Sequence, residues 1–338
     1  MDAIAKNLTV TEIANLCGTS KSTVSRVLNK DPNVSEKTRL KIQKIIKDVG
    51  YHPSLHASVL SGGKTRCIMA IASHMANGFF ADVINGLSQM VSSRDHWLMC
   101  SFGASPKEYI DVWTNLSQQK ICDGVVLIAP PREIFDVSPS MCQYPAVICA
   151  CSGQNQSMDW ASVSSVTVNN YAAFTELLSR IWARGIRKIA HVAGYQEVYD
   201  AKERLRAYRD FASRMKMPEQ IIQVGLAFDE AYARVSSWLE VCQEIPEAFV
   251  AFNDSSAAGT LMALKNKNIK FPLVTGCDGE YIAKLLSFPT IRQNASDLGR
   301  HAGRLLLERL EWKSDKGEYF PSHQVLPMEI VGFSEISH

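Results

Sequence analysis

Within six residues the chain carries four polar side chains suited to nucleic acid: Lys21, Ser22, Ser25 and Arg26. A helix over residues 21–28 places all four on one face and turns Val24 and Val27 to the other. Lysine and arginine bind guanine edges or phosphates, and serine hydroxyls contact either. Arg26 has the forked donors that match guanine bidentately. This face therefore predicts contact with DNA bases in the major groove.

The helix over residues 21–28 needs a partner helix, and the preceding residues predict one. Thr9 and Glu12 have the spacing of a capping box, in which the hydroxyl and the carboxylate satisfy backbone amides at a helix start. Gly18 ends that first helix, because glycine takes a left-handed backbone conformation without strain, and Ser20 caps the second. The pattern indicates a helix-turn-helix, although such a pair can also be a simple packing unit.

A third helix and a basic bias favour the DNA-binding interpretation. This helix is expected to begin at Ser35 and to end at Gly50. The side chains expected to face the core of the three helices are Ile13, Ala14, Leu16, Val24, Val27, Leu28, Leu40, Ile42, Ile45, Ile46 and Val49. Residues 1–66 contain eleven lysines and arginines against five acidic residues, a balance of +6, whereas the whole chain carries +2. A basic head on a body of −4 is the electrostatic footprint of a nucleic-acid-binding protein.

The stretch TVTEIANLCGTSKSTVSRVLN, with the later VSEKTRLKIQKIIKDVGYHPSLHASVLSGGKT, resembles the head of the lactose-repressor family of bacterial transcription regulators. The shared motifs are S-x-x-TVSRVLN, VS-x-x-TR and GY-x-P, and the similarity continues through the body to the last strand. The resemblance implies a helix-turn-helix domain at residues 1–53 and a hinge at 54–65. It also implies a repressor that binds a pseudo-palindromic operator as a homodimer.

Further DNA contacts follow from the helix starts and from the resemblance. Hydroxyl groups at helix amino ends suit phosphates, and the residues of this kind are Thr9, Thr11, Ser35 and Thr38. The resemblance adds Val10, Asn29, Tyr51 and Ser54 to the DNA-binding set. It makes residues 54–65 a hinge helix whose Leu60 enters the minor groove and kinks the operator. The other interpretation of this segment is a flexible linker, since an isolated helix this short is unstable.

From Cys67 onward, near-continuous apolar strands alternate with amphipathic helices in two series. This alternation predicts doubly wound parallel sheets in two similar lobes, with a ligand crevice at the carboxyl ends of the strands. The fold class is therefore α/β, a small all-α helix-turn-helix head on a two-lobed core, residues 66–338, that resembles periplasmic binding proteins. The expected lobes are about 66–164 plus 295–323, and about 165–294 plus 324–338.

The resemblance places effector-binding residues at strand ends around that crevice. Phe79 and Phe80 of NGFF occupy the family's N-P-F-F position, where aromatic rings suit the apolar face of a sugar or a base. Arg204 in ERLRAY matches the family's effector arginine, whose donors can fork onto ligand oxygens. The remaining members of the predicted set are Ser73, Phe228, Asn253, Asp278 and Gln293.

Three positions depart from the family pattern. Ala150 stands where the family often has Asp, Gly78 replaces the Pro of N-P-F-F, and Cys277 replaces the Tyr of G-Y-D. These changes leave the identity of the effector open. A carbohydrate is the first expectation, and the alternative is control mainly by a protein partner or by a nucleobase or nucleoside corepressor.

Composition and motifs argue against other classes. No apolar run approaches the ~20 residues of a membrane helix, and the amino terminus lacks a signal-peptide core, so we expect a cytoplasmic protein. The sequence has neither a G-x-S-x-G elbow nor a Walker loop, and we expect no enzyme, no cofactor and no metal site. Nine scattered cysteines without a C-x-x-C pair predict buried thiols. A redox role for Cys149, Cys151 and Cys277 is the weaker alternative.

Overall fold

The computed structural model describes residues 8–28, 31–51, 64–73, 78–103, 105–116, 119, 121–141, 143–151, 158–312, 315 and 317–333. Contacts within the chain divide it into two compact units, Met1–Thr65 and Arg66–His338. None of the described helices is long and apolar enough to cross a membrane.

The first unit is a three-helix head. Its helices are α1 (Val10–Cys17), α2 (Lys21–Leu28) and α3 (Glu36–Asp48). The predicted capping box is present: the Thr9 amide donates to Glu12 Oε2 at 2.7 Å, and the Glu12 amide donates to Thr9 Oγ1 at 3.3 Å. Gly18 follows α1 with a left-handed φ of 60°. Ser35 Oγ accepts from the Thr38 amide at 3.4 Å. The predicted starts and ends of these helices are confirmed.

The core of the head is small and differs from the predicted set at three positions. Its buried side chains are Ile13, Ala14, Cys17, Val24, Val27, Ile42 and Tyr51. Leu16, Leu40 and Val49 are instead exposed. Leu40 is two positions from Ile42 and therefore points to the other side of α3. Leu16 is turned away from the core of the head in the same manner, and Val49 follows the last residue of its helix.

The second unit contains two lobes, each built on a six-stranded sheet. The parallel strands of the first sheet, in spatial order, are β2 (Trp97–Phe102), β1 (Cys67–Ala72), β3 (Gly124–Ile128), β4 (Ala146–Cys149), β5 (Ser164–Val168) and β11 (His323–Leu326). The helices on one face are α4 (Gly78–Ser92) and α12 (Ala295–Glu311). The helices on the other are α5 (Pro106–Leu116), the 3-10 turn Arg132–Asp136 and α6 (Met158–Ala161).

Helices α4 and α12 cross at very short range in the first lobe. A Cβ atom added at Gly299 would lie 1.9 Å from the Val83 carbonyl oxygen, and one added at Gly86 would lie 1.9 Å from the Ser296 carbonyl oxygen. Both positions therefore require glycine. The close crossing holds the amino end of α4, which carries two of the predicted effector residues, against the sheet.

The second lobe repeats this plan. Its strands, in spatial order, are β7 (Ile221–Gln223), β6 (Ile189–Ala193), β8 (Ala248–Ala251), β9 (Leu273–Asp278), β10 (Thr290–Gln293) and β12 (Met328–Val331). All the pairings are parallel except that of β10 with β12. The helices on one face are α7 (Asn170–Ala183) and α8 (Tyr199–Met215). The helices on the other are α9 (Phe228–Val241), α10 (Asp254–Asn266) and α11 (Tyr281–Leu285).

The chain leaves the first lobe later than predicted. Lobe boundaries near residues 164 and 323 are wrong by a few residues, because β5 pairs with β4 and β11 pairs with β5, all within the first sheet. The crossings between the lobes lie at Asn169, Asn294 and Pro327. Strands of both lobes are near-continuous apolar runs, so the local pattern reveals a strand but not the sheet to which it belongs.

Candidate functional site

The polar face of α2 is exposed as predicted. Lys21, Ser22, Ser25 and Arg26 point away from the core, and Val24 and Val27 anchor the opposite side. Ser20 Oγ accepts from the Thr23 amide at 3.2 Å and caps the helix. Arg26 Nε lies 3.8 Å from Asp31 Oδ2 with its side chain 64% exposed. An exposed pair of this kind contributes about 0–1 kcal/mol, so Arg26 can exchange it for a base at little cost.

Arg39 positions the segment between α2 and α3, a role that the sequence reasoning missed. Its Nη2 donates to the carbonyl oxygens of Asp31 at 2.6 Å and Val34 at 3.4 Å, and its side chain is only 18% exposed. The one available signal was its place in the VS-x-x-TR motif. Arg39 therefore stabilises the segment next to the polar face of α2 and is not itself part of that face.

The remaining predicted DNA residues fall into three groups. Thr9, Ser35 and Thr38 lie at the helix starts, where their hydroxyls take part in the caps, and Thr11 is exposed beside them. The prediction that Tyr51 contacts DNA is not supported, because its ring is buried in the core of the head. Val10 packs partly against the same core. Asn29, Ser54 and Leu60 lie outside the described residues, so the hinge remains a prediction.

A cavity of about 250 Å³ lies between the two lobes, at the carboxyl ends of their strands. The predicted effector residues that line it are Ser73, Phe79, Phe80, Arg204, Asn253, Asp278 and Gln293. Phe228 is not among the lining residues. Its ring stacks on Tyr232 at the start of α9 with centroids 6.4 Å apart, and Leu226 lines the cavity in its place.

The guanidinium of Arg204 is 1% exposed, and each of its three nitrogens donates to a protein oxygen. Nε donates to Asn170 Oδ1 at 2.8 Å, Nη1 to the Phe252 carbonyl oxygen at 2.5 Å, and Nη2 to Asp278 Oδ1 at 3.4 Å. Asp200 Oδ2 lies 3.7 Å from Nη2. Sequence reasoning missed Asn170 and Asp200, which lie outside the motifs. The predicted effector arginine therefore shapes the cavity by holding its acidic wall.

Asp278 and Gln293 form a buried pair at the end of β9 and β10. Gln293 Nε2 donates to Asp278 Oδ1 at 2.7 Å. Burial raises the pKa of Asp278 to about 7, against the lowering effect of Arg204. Asp278 also has a φ of 119°, a region that non-glycine residues rarely occupy. Strain of this kind is concentrated at functional sites.

Asn253 lines the cavity, but its amide group already has partners. Oδ1 accepts from the Ser256 amide at 2.7 Å and so caps α10, while Nδ2 donates to the Leu226 carbonyl oxygen at 3.0 Å. Asn253 therefore positions the cavity wall at Leu226, and its contribution to a ligand is smaller than the sequence suggested.

Comparison with known proteins identifies two domains and several similar regulators. Residues 9–54 match the bacterial regulatory proteins of the lacI family, and residues 178–332 match a periplasmic binding protein-like domain. The transcriptional repressor PurR of Vibrio atlanticus (strain LGP32) is 28% identical over 330 residues, covering 93% of this chain and 96% of PurR. The chain therefore carries a lacI-family regulatory domain followed by a periplasmic binding protein-like domain. The transcriptional regulator CelR of Thermobifida fusca is 27% identical over 315 residues, covering 89% of this chain and 92% of CelR.

Solved structures share the fold of this chain. The lac repressor dimer bound to operator and the anti-inducer ONPF aligns with a TM-score of 0.84 at 20% identity, covering 96% of this chain and 98% of that chain. A complex of the regulator CelR with cellobiose aligns with a TM-score of 0.69 at 24% identity, with the same coverage. At this identity the likeness shows the fold: a helical head followed by two parallel-sheet lobes.

The Gly78 departure from the lacI-family pattern coincides with a direct link between the lobes. Glu280, in the second lobe, accepts at Oε1 from the Phe79 amide at 3.1 Å, at the amino end of α4 in the first lobe. Burial raises the pKa of Glu280, while the amides of Phe79 and Gly78 act to lower it. A proline at position 78 would lack that amide hydrogen. Sequence reasoning missed Glu280, which is recognisable only from its partner across the cleft.

The cysteine departures do not support redox chemistry. Burial raises the pKa of the Cys149 thiol to about 12, and burial also raises the pKa of Cys277. Since the thiolate is the reactive form, these thiols are poorly reactive at neutral pH. Cys151 is buried as well, whereas Cys100 is exposed on edge strand β2, contrary to the expectation of buried thiols. Ala150 is buried with a left-handed φ of 60° between two of these cysteines.

The buried carboxyls of the second lobe predict that stability falls as the pH rises toward 8. Burial raises the pKa of Asp254 to about 8 and that of Asp278 to about 7. The folded protein then retains protons that the unfolded chain has released above its ordinary pKa near 4. Stability should therefore fall from about pH 4 until the pH passes the folded pKa values of about 7 and about 8, and the melting temperature should decrease from pH 6 to pH 8 and then level off.

Asp254→Asn provides the matched control for this pH dependence. The asparagine can turn its oxygen toward the Glu280 amide and its amino group toward Thr290 Oγ1, the present partners of Asp254. Its melting temperature should depend less on pH over the same interval. An equally steep decrease in the variant would show that Asp254 is already ionised at pH 6.

Removing the amide at position 78 tests the link between the lobes. Gly78→Pro suits the first residue of a helix but removes the amide of residue 78, which acts on the Glu280 carboxylate together with the Phe79 amide, so it should cost about 1 kcal/mol more than Gly78→Ala, which keeps that amide. Both substitutions add a Cβ, which would lie 3.4 Å from Glu280 Oε1. In a Glu280→Ala background the difference between the two variants should vanish. A difference that persists there would mean that the cost arises elsewhere in the backbone.

Proposed function

We propose that this lacI-family protein is a transcription repressor whose operator affinity is set by a small molecule bound between the lobes of its core. One observation carries the proposal: a single chain combines the exposed polar face of α2 with a cavity lined by seven of the eight predicted effector residues. A carbohydrate is the first effector class, and a nucleobase or nucleoside the second.

The head supplies the DNA-binding half of this function. Its α2 presents two cations and two hydroxyls on one face, and the caps of α1 and α3 bring amino ends and hydroxyls to the flanks. The cations and hydroxyls of α2 can reach base edges, and the amino ends and hydroxyls at the starts of α1 and α3 suit phosphates. One head reads too few base pairs for specificity in a genome, so two copies are needed on a pseudo-palindromic operator.

Exposed apolar side chains support a homodimer of the core. Trp97 is 72% exposed and Phe102 is 41% exposed on β2, the edge strand of the first sheet. In the second lobe, Tyr281 is 76% exposed and Leu285 is 64% exposed on α11. An edge strand with apolar side chains invites pairing with another chain, and a dimer with twofold symmetry covers the same patch on both subunits. The related lac repressor structure is a dimer bound to operator.

The effector half of the proposal rests on the cavity. Aromatic rings of Phe79 and Phe80 form one wall, and the strained Asp278 lies on another. Apolar walls with a few convergent polar groups are typical of small-molecule sites. The cellobiose complex of CelR supports a carbohydrate.

Direct readout by Arg26 can be tested on an operator selected from a random duplex library. Arg26→Ala should weaken binding to that operator by about 1–3 kcal/mol and relax the preference at one base pair of each half-site. Affinities for the set of single-base operator variants provide the measurement. Lys37→Ala, an exposed position on α3, is the control and should leave the base preferences unchanged. A uniform loss across all the Arg26→Ala measurements would make Arg26 a phosphate contact instead.

The proposed homodimer can be tested at the exposed apolar side chains of β2. Trp97→Asp introduces a charge into the apolar patch on β2 and should shift the protein toward monomer in sedimentation velocity at micromolar concentration. Phe271→Asp is the control, since Phe271 is 67% exposed just before β9, at the end opposite α11. A Trp97→Asp protein that stays dimeric would place the interface elsewhere.

A further inference from the structure

One acidic residue, Asp31, lies beside the polar face of α2. Its amide donates to the Arg26 carbonyl oxygen at 2.9 Å, which ties it to the end of α2. Its own carbonyl oxygen accepts from Arg39 Nη2 at 2.6 Å. The backbone of Asp31 is therefore held by α2 on one side and by α3 on the other.

The carboxylate of Asp31 is fixed as well. Oδ1 accepts from the Asn33 amide at 2.9 Å and from Asn33 Nδ2 at 3.0 Å. Because both donors bind the same oxygen, Oδ2 is left for Arg26, whose Nε lies 3.8 Å away. The side chain of Asp31 is 29% exposed, against 64% for that of Arg26. A fixed, half-buried carboxylate thus lies beside an exposed guanidinium.

The turn at Asp31 does not require a charge, because an asparagine oxygen would accept from the Asn33 amide equally well. A carboxylate is also unfavourable at this place. It lies at the negative end of the α2 dipole and beside a surface that is to meet phosphates. Arg39, the other nearby cation, donates to the Asp31 carbonyl oxygen and not to the carboxylate. The charge of Asp31 therefore acts favourably on the guanidinium that faces Oδ2, which is that of Arg26.

Contact through Nε leaves the end of the guanidinium fork for DNA. Nη1 and Nη2 can bind guanine O6 and N7, so Arg26 can also bind a base without leaving Asp31. A carboxylate beside Nε limits the rotation of the long arginine side chain, which reduces the entropy lost when the fork meets its base. Without that carboxylate, Arg26 would be free to turn to a phosphate, where no sequence is read.

We propose that Asp31 is a positioning residue for base recognition. Its carboxylate, fixed by Asn33, holds the guanidinium of Arg26 so that the fork meets a guanine and not a phosphate. The inference rests on the proposed function and specifies how the head selects its operator. Asp31 lowers the general attraction of the head for DNA and raises its discrimination between bases.

The test compares ratios of dissociation constants, because a change of charge in the head shifts the affinities for all duplexes alike. The selected operator is compared with the same duplex substituted at the base pair whose preference Arg26→Ala relaxes. The ratio of the substituted to the selected dissociation constant should fall about tenfold in full-length Asp31→Asn. The asparagine keeps Oδ1 for Asn33, so the melting transition should stay cooperative.

Asp48→Asn is the matched control, since Asp48 is an exposed acid at the end of α3 and its substitution removes the same charge. Its ratio should equal that of the unaltered protein. Asp31→Ser removes the carboxylate in a second way, with a hydroxyl that can still accept from the Asn33 amide. Its ratio should fall as in Asp31→Asn. An unchanged ratio in a folded Asp31 variant, or an equal fall in Asp48→Asn, would overturn the inference.

A double-mutant cycle shows whether Asp31 acts through Arg26. In an Arg26→Ala background, Asp31→Asn should leave the ratio unchanged. A further fall there would contradict a role through Arg26, because Asp31 would then contact a base itself or act through the turn.

Failure of the inference is distinguishable from failure of the proposed function. A protein that selects no operator from the duplex library would overturn both. A protein that selects an operator, but discriminates its bases equally well without the Asp31 carboxylate, would overturn the inference alone. If Arg26→Ala relaxes no base pair, the inference fails together with the assignment of Arg26 to a base.

Discussion

One buried guanidinium organises the ligand-facing side of the second lobe. Arg204 extends from α8 to the ends of β8 and β9 and joins them through the Phe252 carbonyl oxygen and the Asp278 carboxylate. A buried ion pair adds little net stability, because desolvation offsets most of the Coulomb attraction, yet removing one partner costs about 3–5 kcal/mol. Arg204 therefore fixes geometry. The orientation of Asp278 fixes in turn that of Gln293, and with it the acceptor that faces the cavity.

The link between the lobes begins two residues beyond that fixed carboxylate. Glu280 donates its amide to Asp254 Oδ2 at 2.6 Å and accepts at its side chain from the amino end of α4. A ligand in contact with Asp278 and Phe79 thus lies beside the hydrogen bond that joins the lobes. If the ligand fits better with the link made than broken, it shifts the population of lobe angles accordingly. Whether that shift favours or opposes operator binding depends on the lobe angle the ligand prefers.

Local patterns predicted the local structure well. The capping box at Thr9, the left-handed Gly18 and the exposed face around Arg26 all follow from the identity and spacing of neighbouring residues. The alternation of apolar strands with amphipathic helices likewise predicted two doubly wound sheets, and seven of the residues placed by family position line the cavity between the lobes.

What the sequence did not predict depends on contacts between distant residues. Asp200 and Glu280 acquire their roles from partners on other elements or in the other lobe, and nothing in their immediate neighbourhood distinguishes them from surface acids. The assignment of β5 to the second lobe was wrong for the same reason, because the residues of a single strand do not determine which sheet the strand joins. Tyr51 and Phe228 were placed by family position alone. In this chain Tyr51 packs in the core of the head, and the ring of Phe228 stacks on Tyr232.

The most direct test of the central claim, that the cavity and the operator site are coupled, measures both halves of one thermodynamic cycle. The dissociation constant of the operator would be determined with and without a saturating probe, a sugar or a nucleoside that binds the protein, and that of the probe with and without a saturating operator duplex. Coupling requires the two ratios to be equal and different from one. A probe that binds the cavity with the same affinity whether or not operator is present would contradict the account.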